Sequence, residues 1–135
     1  MPVNPAKSIA CLVDTDIVID FLRGRSYTRT LLGRWAEEGL LAVSTLTHLE
    51  VYQGMKRGED EATSAFLDGL ISVAVDVPIA RQAGRLLAEL RSKGKTVGMA
   101  NAVIATTALQ MGAPLLTNNG DDYPFPNLKI VPGLK

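Results

Sequence analysis

Short, continuous apolar runs alternating with longer stretches at helical spacing restrict this chain to a narrow set of folds. The runs are Ile9 to Val13, Leu40 to Val43, Val73 to Val77, Pro114 to Thr117 and, shortest, Lys129 to Val131. Runs of this length bounded by turn residues read as fully buried strands. Between them, apolar side chains recur every three to four residues: Ile17, Val18, Phe21 and Leu22; then Tyr27, Leu31, Leu32 and Trp35 up to Gly39. Ser44 or Thr45 can cap a third helix through Leu46, Leu49, Val51 and Tyr52. Glu59 to Ile71 reads as a fourth, with Ala62, Ala65, Phe66, Leu67 and Leu70 inward. Pro78, well suited to a first helical turn, opens a fifth through Ile79, Ala83, Leu86, Leu87 and Leu90. The stretch Met99 to Met111 is so apolar that it belongs at the centre. Strands alternating with helices predict an α/β fold with a parallel sheet of four to five strands, the last at an edge.

Parallel sheets gather their sites beyond the carboxyl ends of the strands, near the point where strand order switches. Four polar interruptions fall where such a site would form. Asp14 follows the first strand, and the run Asn118 to Tyr123 follows the fourth. Glu50 and Asn101 lie on helices, Asn101 near the start of its own. A carboxylate in an apolar setting loses solvation without compensation. Two of them ~4 Å apart repel by about 4 kcal/mol at an effective dielectric near 20. A shared cation removes that conflict, and oxygen donors favour Mg²⁺ or Mn²⁺. Such an ion can polarise a phosphodiester, activate water and steady a leaving oxygen. One histidine and one cysteine are too few for a typical zinc site, and no glycine-rich phosphate loop is present to suggest an NTPase.

The 135 residues suit one domain, taken as 1–135, with a substantial core. Lys plus Arg and Asp plus Glu each number 14, so the chain lacks the basic excess of a general polyanion binder. Any nucleic-acid contact is then expected to be local, or to depend on metal and shape rather than on bulk charge. The lone Cys11 lies in the apolar run IACLV, where a buried small hydrophobe is the plainest reading and no internal disulfide can form. No apolar stretch is long enough to span a membrane, and MPVNPAKSIACLV lacks the layout of a signal peptide. A cytoplasmic protein is expected.

Taken in order, the segments LVDTDIVIDFLRG, STLTHLEVYQG and ANAVIATTALQMGAPLLTNNGDDY resemble the PIN-domain family, and within it the VapC-like toxins of toxin–antitoxin pairs. The resemblance runs nearly end to end. It implies a three-layer α/β/α domain, a Mg²⁺-dependent (or Mn²⁺-dependent) endoribonuclease activity, a homodimer, and a small antitoxin that occludes the cleft. Carried onto this chain, the family's first and second metal-binding acids are Asp14 and Glu50. The third aspartate is replaced by Asn101, whose amide brings no charge and takes no proton at neutral pH. The fourth acid is Asp122, with Asp121 as fallback. All four positions, Asp14, Glu50, Asn101 and Asp122, are expected to coordinate metal. Weak or absent catalysis follows from Asn101. A disarming Asp→Asn exchange in an otherwise intact site is the favoured origin; a naturally degenerate, binding-only member is the alternative.

Around these four, Asp16 reads as either a helix cap or a supporting partner, and Asn119 neighbours the fourth acid. Thr117 is expected to orient a water or ligand through its hydroxyl, and donors around Thr117 and Asn119 to hold a water or phosphate. Plainer readings compete: Asp14 and Asp16 as caps, Glu50 as a solvated helix residue, Asp121 and Asp122 as turn residues. His48, two residues from Glu50, fits a surface or satisfied interior role better than a general base. Arg23 and Arg25 are the first candidates for RNA or antitoxin contact, against a solvated surface. Tyr27, Leu31, Trp35, Met55, Phe66 and Leu70 read as core, with a groove for a partner helix as the other option.

Overall fold

A computed structural model of the chain describes residues 8–134; the N-terminal segment read above for a signal peptide lies largely outside the described residues. The described elements run β1 (Ile9–Val13), α1 (Thr15–Leu22), α2 (Tyr27–Glu38), β2 (Leu40–Ser44), α3 (Thr45–Gln53), α4 (Asp60–Asp68), β3 (Ile71–Val73), α5 (Val77–Ser92), α6 (Met99–Met111), β4 (Leu115–Thr117), a single 3-10 turn (Gly120–Asp122) and β5 (Ile130–Pro132). The five strands form one sheet in the order β3-β2-β1-β4-β5, parallel throughout. This is the expected three-layer α/β/α arrangement.

Strand alternation divides the core into two layers. Leu12, Ala42 and Leu115 point to one face and pack with Ala83 and Leu90 of α5 and Ala102, Ile104, Ala105 and Ala108 of α6. Cys11, Val13, Val43 and Leu116 point to the other and meet Ile17, Val18, Leu32, Val51 and Leu67. Both faces are covered, which explains why the strands read as unbroken apolar runs. Helix α6 is buried on most sides, and its alanines let it lie close to the sheet and to α5. Gly39 permits the entry to β2 to run against β1, since a Cβ there would fall 2.4 Å from the Ser8 carbonyl oxygen.

Two elements differ from expectation. The third strand is Ile71–Val73, not Val73 to Val77, and α4 accordingly stops at Asp68. The cause is local: Asp76 caps α5, its Oδ1 accepting from the Ile79 amide at 3.0 Å, and Pro78 occupies the first turn. Val75 and Val77 are thereby left exposed. Within α4 the inward residues are Thr63 and Leu67, with Phe66 half-buried, as is Leu70 just beyond the helix, whereas Ala62 and Ala65 face solvent.

Candidate active site

The strand order reverses between β1 and β4, so the loops leaving those two strands diverge and open a cleft. Asp14 stands at its floor. The Asp14 amide donates to the Leu116 carbonyl at 2.9 Å, which fixes the residue at the end of β1. The residue is only 5% exposed. Oδ1 accepts from the Thr15 amide at 2.7 Å. Oδ2 accepts from the Thr117 hydroxyl at 2.7 Å and the Tyr123 hydroxyl at 2.9 Å. Asp14 thus serves as both helix cap and cleft residue.

Eight residues line the cleft: Asp14, Thr15, Asp16, Glu50, Asn101, Asn119, Asp122 and Tyr123, around a cavity of about 160 Å³. The four positions expected from sequence therefore face one space, delivered from the end of β1, the middle of α3, the first turn of α6 and the 3-10 turn after β4. On α3, Val51 turns into the core and Leu49 to solvent, which leaves Glu50 half-buried and directed to the cleft. Glu50 Oε1 accepts from the Thr15 hydroxyl at 2.6 Å. Having spent its proton there, Thr15 accepts from Thr47 at 3.0 Å. Thr15 is a residue the sequence reading passed over. Its place directly after Asp14, at the start of a helix packed on α3, was the available signal.

Of the two roles considered for it, Asp16 takes that of supporting partner; the cap of α1 is Asp14, and Asp16 lies within the first turn. Oδ1 accepts from the Ile17 amide at 2.8 Å, while Oδ2 accepts from the Asn118 amide and the Asn119 side chain, both at 2.9 Å. That second set ties α1 to the turn after β4. Asn119 lines the cleft with one side-chain N–H already committed to Asp16. The second N–H of the Asn119 carboxamide stays available toward the cleft, whereas the single Thr117 proton is used on Asp14. Asp121 faces neighbouring hollows with Asp122 and lies outside the cleft lining. Tyr123 and Asn118, which the sequence reading placed inside the run without assigning them, carry much of the support.

Electrostatically the cleft holds acids under strain. Burial pushes the Asp14 carboxyl up from its ordinary value; donors from Thr117, Tyr123 and Thr15 pull it back, and Asp122 raises it again. Asp16 is pushed up to about 6, first by burial and then by the Asp14 charge. Tyr123 is also raised, by burial and by the adjacent Asp14. The hydrogen bonds to Asp14 and Asp16 come from hydroxyls, amides and a carboxamide, all neutral. Among the described residues, no three Asp, Glu, His or Cys side chains form a ready-made metal cluster. The chemistry of the donor set nonetheless fits a hard divalent ion: every side-chain group facing the cavity offers oxygen, and none offers sulfur or imidazole. Asp14, Glu50, Asn101 and Asp122 are the residues that would hold it.

The other singled-out residues lie elsewhere. Arg23 borders an apolar groove with Ile19, Leu22, Val51 and Met55, and the Arg25 guanidinium sits 5.9 Å above the Tyr27 ring. Neither reaches the acidic cleft. His48 Nε2 pairs with Ser72 Oγ at 2.8 Å, as its plainer reading anticipated. Tyr27, Leu31, Trp35, Phe66 and Leu70 are half-buried against the core, so they behave chiefly as core. The conspicuous exposed apolar side chains are Leu49, Tyr52, Val75, Val77 and Met99.

Comparison with known proteins agrees with this fold. The PIN domain profile matches residues 11–129. Ribonuclease VapC19 of Mycobacterium tuberculosis is 35% identical over 120 residues, covering 87% of this chain and 96% of the relative. VapBC2 of Rickettsia felis, solved bound to a promoter DNA fragment, shares the fold with a TM-score of 0.80 at 24% identity, covering 92% of this chain and 98% of its own. A toxin–antitoxin complex from Klebsiella pneumoniae superposes with a TM-score of 0.77 at 25% identity, over 90% of this chain and 97% of that one. With a parallel sheet in this order and acids gathered at its switch point, the chain belongs to the PIN-domain family, among its VapC-like members.

Proposed function

We propose that this chain is a Mg²⁺- or Mn²⁺-dependent endoribonuclease of a toxin–antitoxin pair, with turnover reduced or abolished by Asn101. The observation that carries the reading is the convergence of Asp14, Glu50, Asn101 and Asp122 on one cleft, with a buried acid whose partners are all neutral. The ribonuclease relative and the toxin–antitoxin neighbour support the substrate class and an antitoxin partner.

When bound, a divalent ion would supply positive charge to the scissile phosphate and to the leaving oxygen. The chain's own residues prepare for it. Thr117 and Tyr123 fix the Asp14 carboxylate in one orientation, and Thr15 fixes Glu50. Asp122, exposed on its 3-10 turn, faces both the cavity and solvent, the side from which an RNA strand would arrive. Asn101 contributes an amide oxygen where a carboxylate would add charge and a proton acceptor, which weakens ion binding and water activation together. We read the protein as a single cytoplasmic domain. No helix among the described residues is long and apolar enough to cross a membrane. A homodimer is supported by the exposed Leu49, Tyr52, Val75 and Val77, which lie on neighbouring segments: the Val75 amide donates to Thr45 on α3. Arg23 and Arg25 remain candidates for antitoxin contact through the groove Arg23 borders.

Assaying Asn101→Asp beside the unmodified chain, with Mn²⁺ and matched RNA and DNA substrates, tests the assignment. RNA cleavage gained on restoring the acid is the expected result. A second reading, a catalytically silent domain that engages RNA or an antitoxin, is favoured by the Asn101 amide and by the lack of a three-acid cluster among the described residues. Unchanged RNA binding without cleavage in Asn101→Asp would select it.

A further inference from the structure

The turn that carries Thr117 and Asn119 is braced from behind by a residue outside the cleft lining. Asn118 sends its side chain away from the cavity. Its Nδ2 donates to the Tyr27 hydroxyl at 2.8 Å, and its Oδ1 accepts from the Leu134 amide at 2.6 Å. Its own amide donates to Asp16 at 2.9 Å. Since a backbone N–H can only donate, Leu134 must face the amide oxygen, and the nitrogen is left for Tyr27. Tyr27 in turn donates to Asp20 on α1. An aspartate here would lack the donor, and a leucine would lack both groups.

The C-terminal segment is seated with equal closeness. Beyond β5, the Gly133 amide donates to the Thr117 carbonyl at 3.2 Å. A Cβ on Gly133 would fall 2.5 Å from Asn118 Oδ1 and 2.5 Å from Ile17 Cδ1. Any larger residue would push the Asn118 carboxamide or the Ile17 side chain aside. On the cleft side of the same turn, the Asn119 amide donates to the Thr117 hydroxyl at 3.0 Å, and that hydroxyl holds Asp14. Two acids therefore depend on Thr117, Asn118 and Asn119, and the middle one anchors this turn to Tyr27 and Leu134.

We infer that Asn118, clamped between Tyr27 and the strap at Gly133 and Leu134, is a positioning residue for the cation site of the cleft. The inference rests on the function proposed above. It differs from simple stitching of strand β5 to the turn, because the Asn118 side chain anchors the backbone whose amide holds Asp16 and whose neighbour Thr117 holds Asp14. Partners behind a ligand hold it in the binding geometry, and their loss weakens ion binding.

The test is Mn²⁺ binding by calorimetry on the full chain, with thermal melts alongside, well below each variant's own Tm. The variants are Asn118→Leu, Tyr27→Phe and, as control, Asp14→Asn. Tyr27→Phe keeps the ring in the core and removes only the hydroxyl, so it guards against misfolding of Asn118→Leu. The expected result is affinity about tenfold weaker for Asn118→Leu, with a smaller loss for Tyr27→Phe, which removes only one of the two anchors. Lower Tm with unchanged Mn²⁺ affinity in both variants would overturn the positioning role alone. No Mn²⁺ binding by the unmodified chain, or equal binding by Asp14→Asn, would overturn the cation site itself and this inference with it.

Discussion

Replacing Tyr123 by phenylalanine isolates what one hydroxyl does for a buried acid. The side chain is 4% exposed and belongs to the core cluster, with its ring centroid 6.4 Å from that of Phe125. Removing the oxygen leaves that packing in place and deletes a 2.9 Å bond to Asp14 Oδ2. At 5% exposure, Asp14 has little access to water that could replace the lost donor. A hydrogen bond to a charged group contributes about 1.5–3 kcal/mol. For a chain of this size that lowers Tm by about 5–12 °C. The sign with pH follows from Asp14. Burial raises its pKa, whereas the Tyr123 donor lowers it, so this bond stabilises the fold where Asp14 is ionised. Its contribution shrinks as pH falls through the raised Asp14 pKa. The assay is a double-mutant cycle of Tyr123→Phe and Asp14→Asn, followed by circular-dichroism melts in EDTA at pH 8 and pH 5. Coupling below about 0.5 kcal/mol at pH 8 would be indistinguishable from independence and would refute the account.

Other outcomes follow from the same geometry. Asp16, with a folded pKa of about 6 against an ordinary 3.8, binds its proton more tightly in the fold. Metal-free stability should therefore decline as pH rises from near 4 to near 6, by on the order of 1–2 kcal/mol once solvent screening is allowed. Added Mn²⁺ should reverse that trend above pH 6, and a flat Tm-versus-pH profile in EDTA would contradict it. Thr15→Ala, which releases Glu50, should weaken Mn²⁺ binding about tenfold while Thr15→Ser retains it; equal titration curves for the two would count against the role. Leu49 is 59% exposed on α3, and Leu49→Asp should shift sedimentation toward monomer with little change in Tm. A monomeric unmodified chain would remove the basis for that expectation.

Much of the architecture was legible because its signals are local. The apolar run at Ile9–Val13, the Ser44 cap accepting from Leu46 and the Pro78 turn each declare an element within a few residues. The third strand was misplaced because VAVDV has strand composition, while Asp76 and Pro78 together start a helix at Val77. The DVP sequence was the stronger signal. For the site, Asp14, Glu50, Asn101 and Asp122 were recognisable by type and position. Thr15, Tyr123 and Asn118 were not, since a threonine, a tyrosine and an asparagine in such settings have many ordinary uses.

Sequence alone determined the alternation of strands and helices, because periodicity and capping act over one or two turns. It also determined the chemistry on offer: acids and an amide set beside buried strands and helices. Only the tertiary structure decided which groups meet. Thr117 and Tyr123 reach Asp14 across 103 and 109 residues of chain, and they do so because β4 adds beside β1 on the side away from β2. Hydrogen bonds of that span depend on strand order, and so do the pKa values they adjust. Strand order is settled by packing both faces of the sheet at once, which no local stretch of sequence encodes.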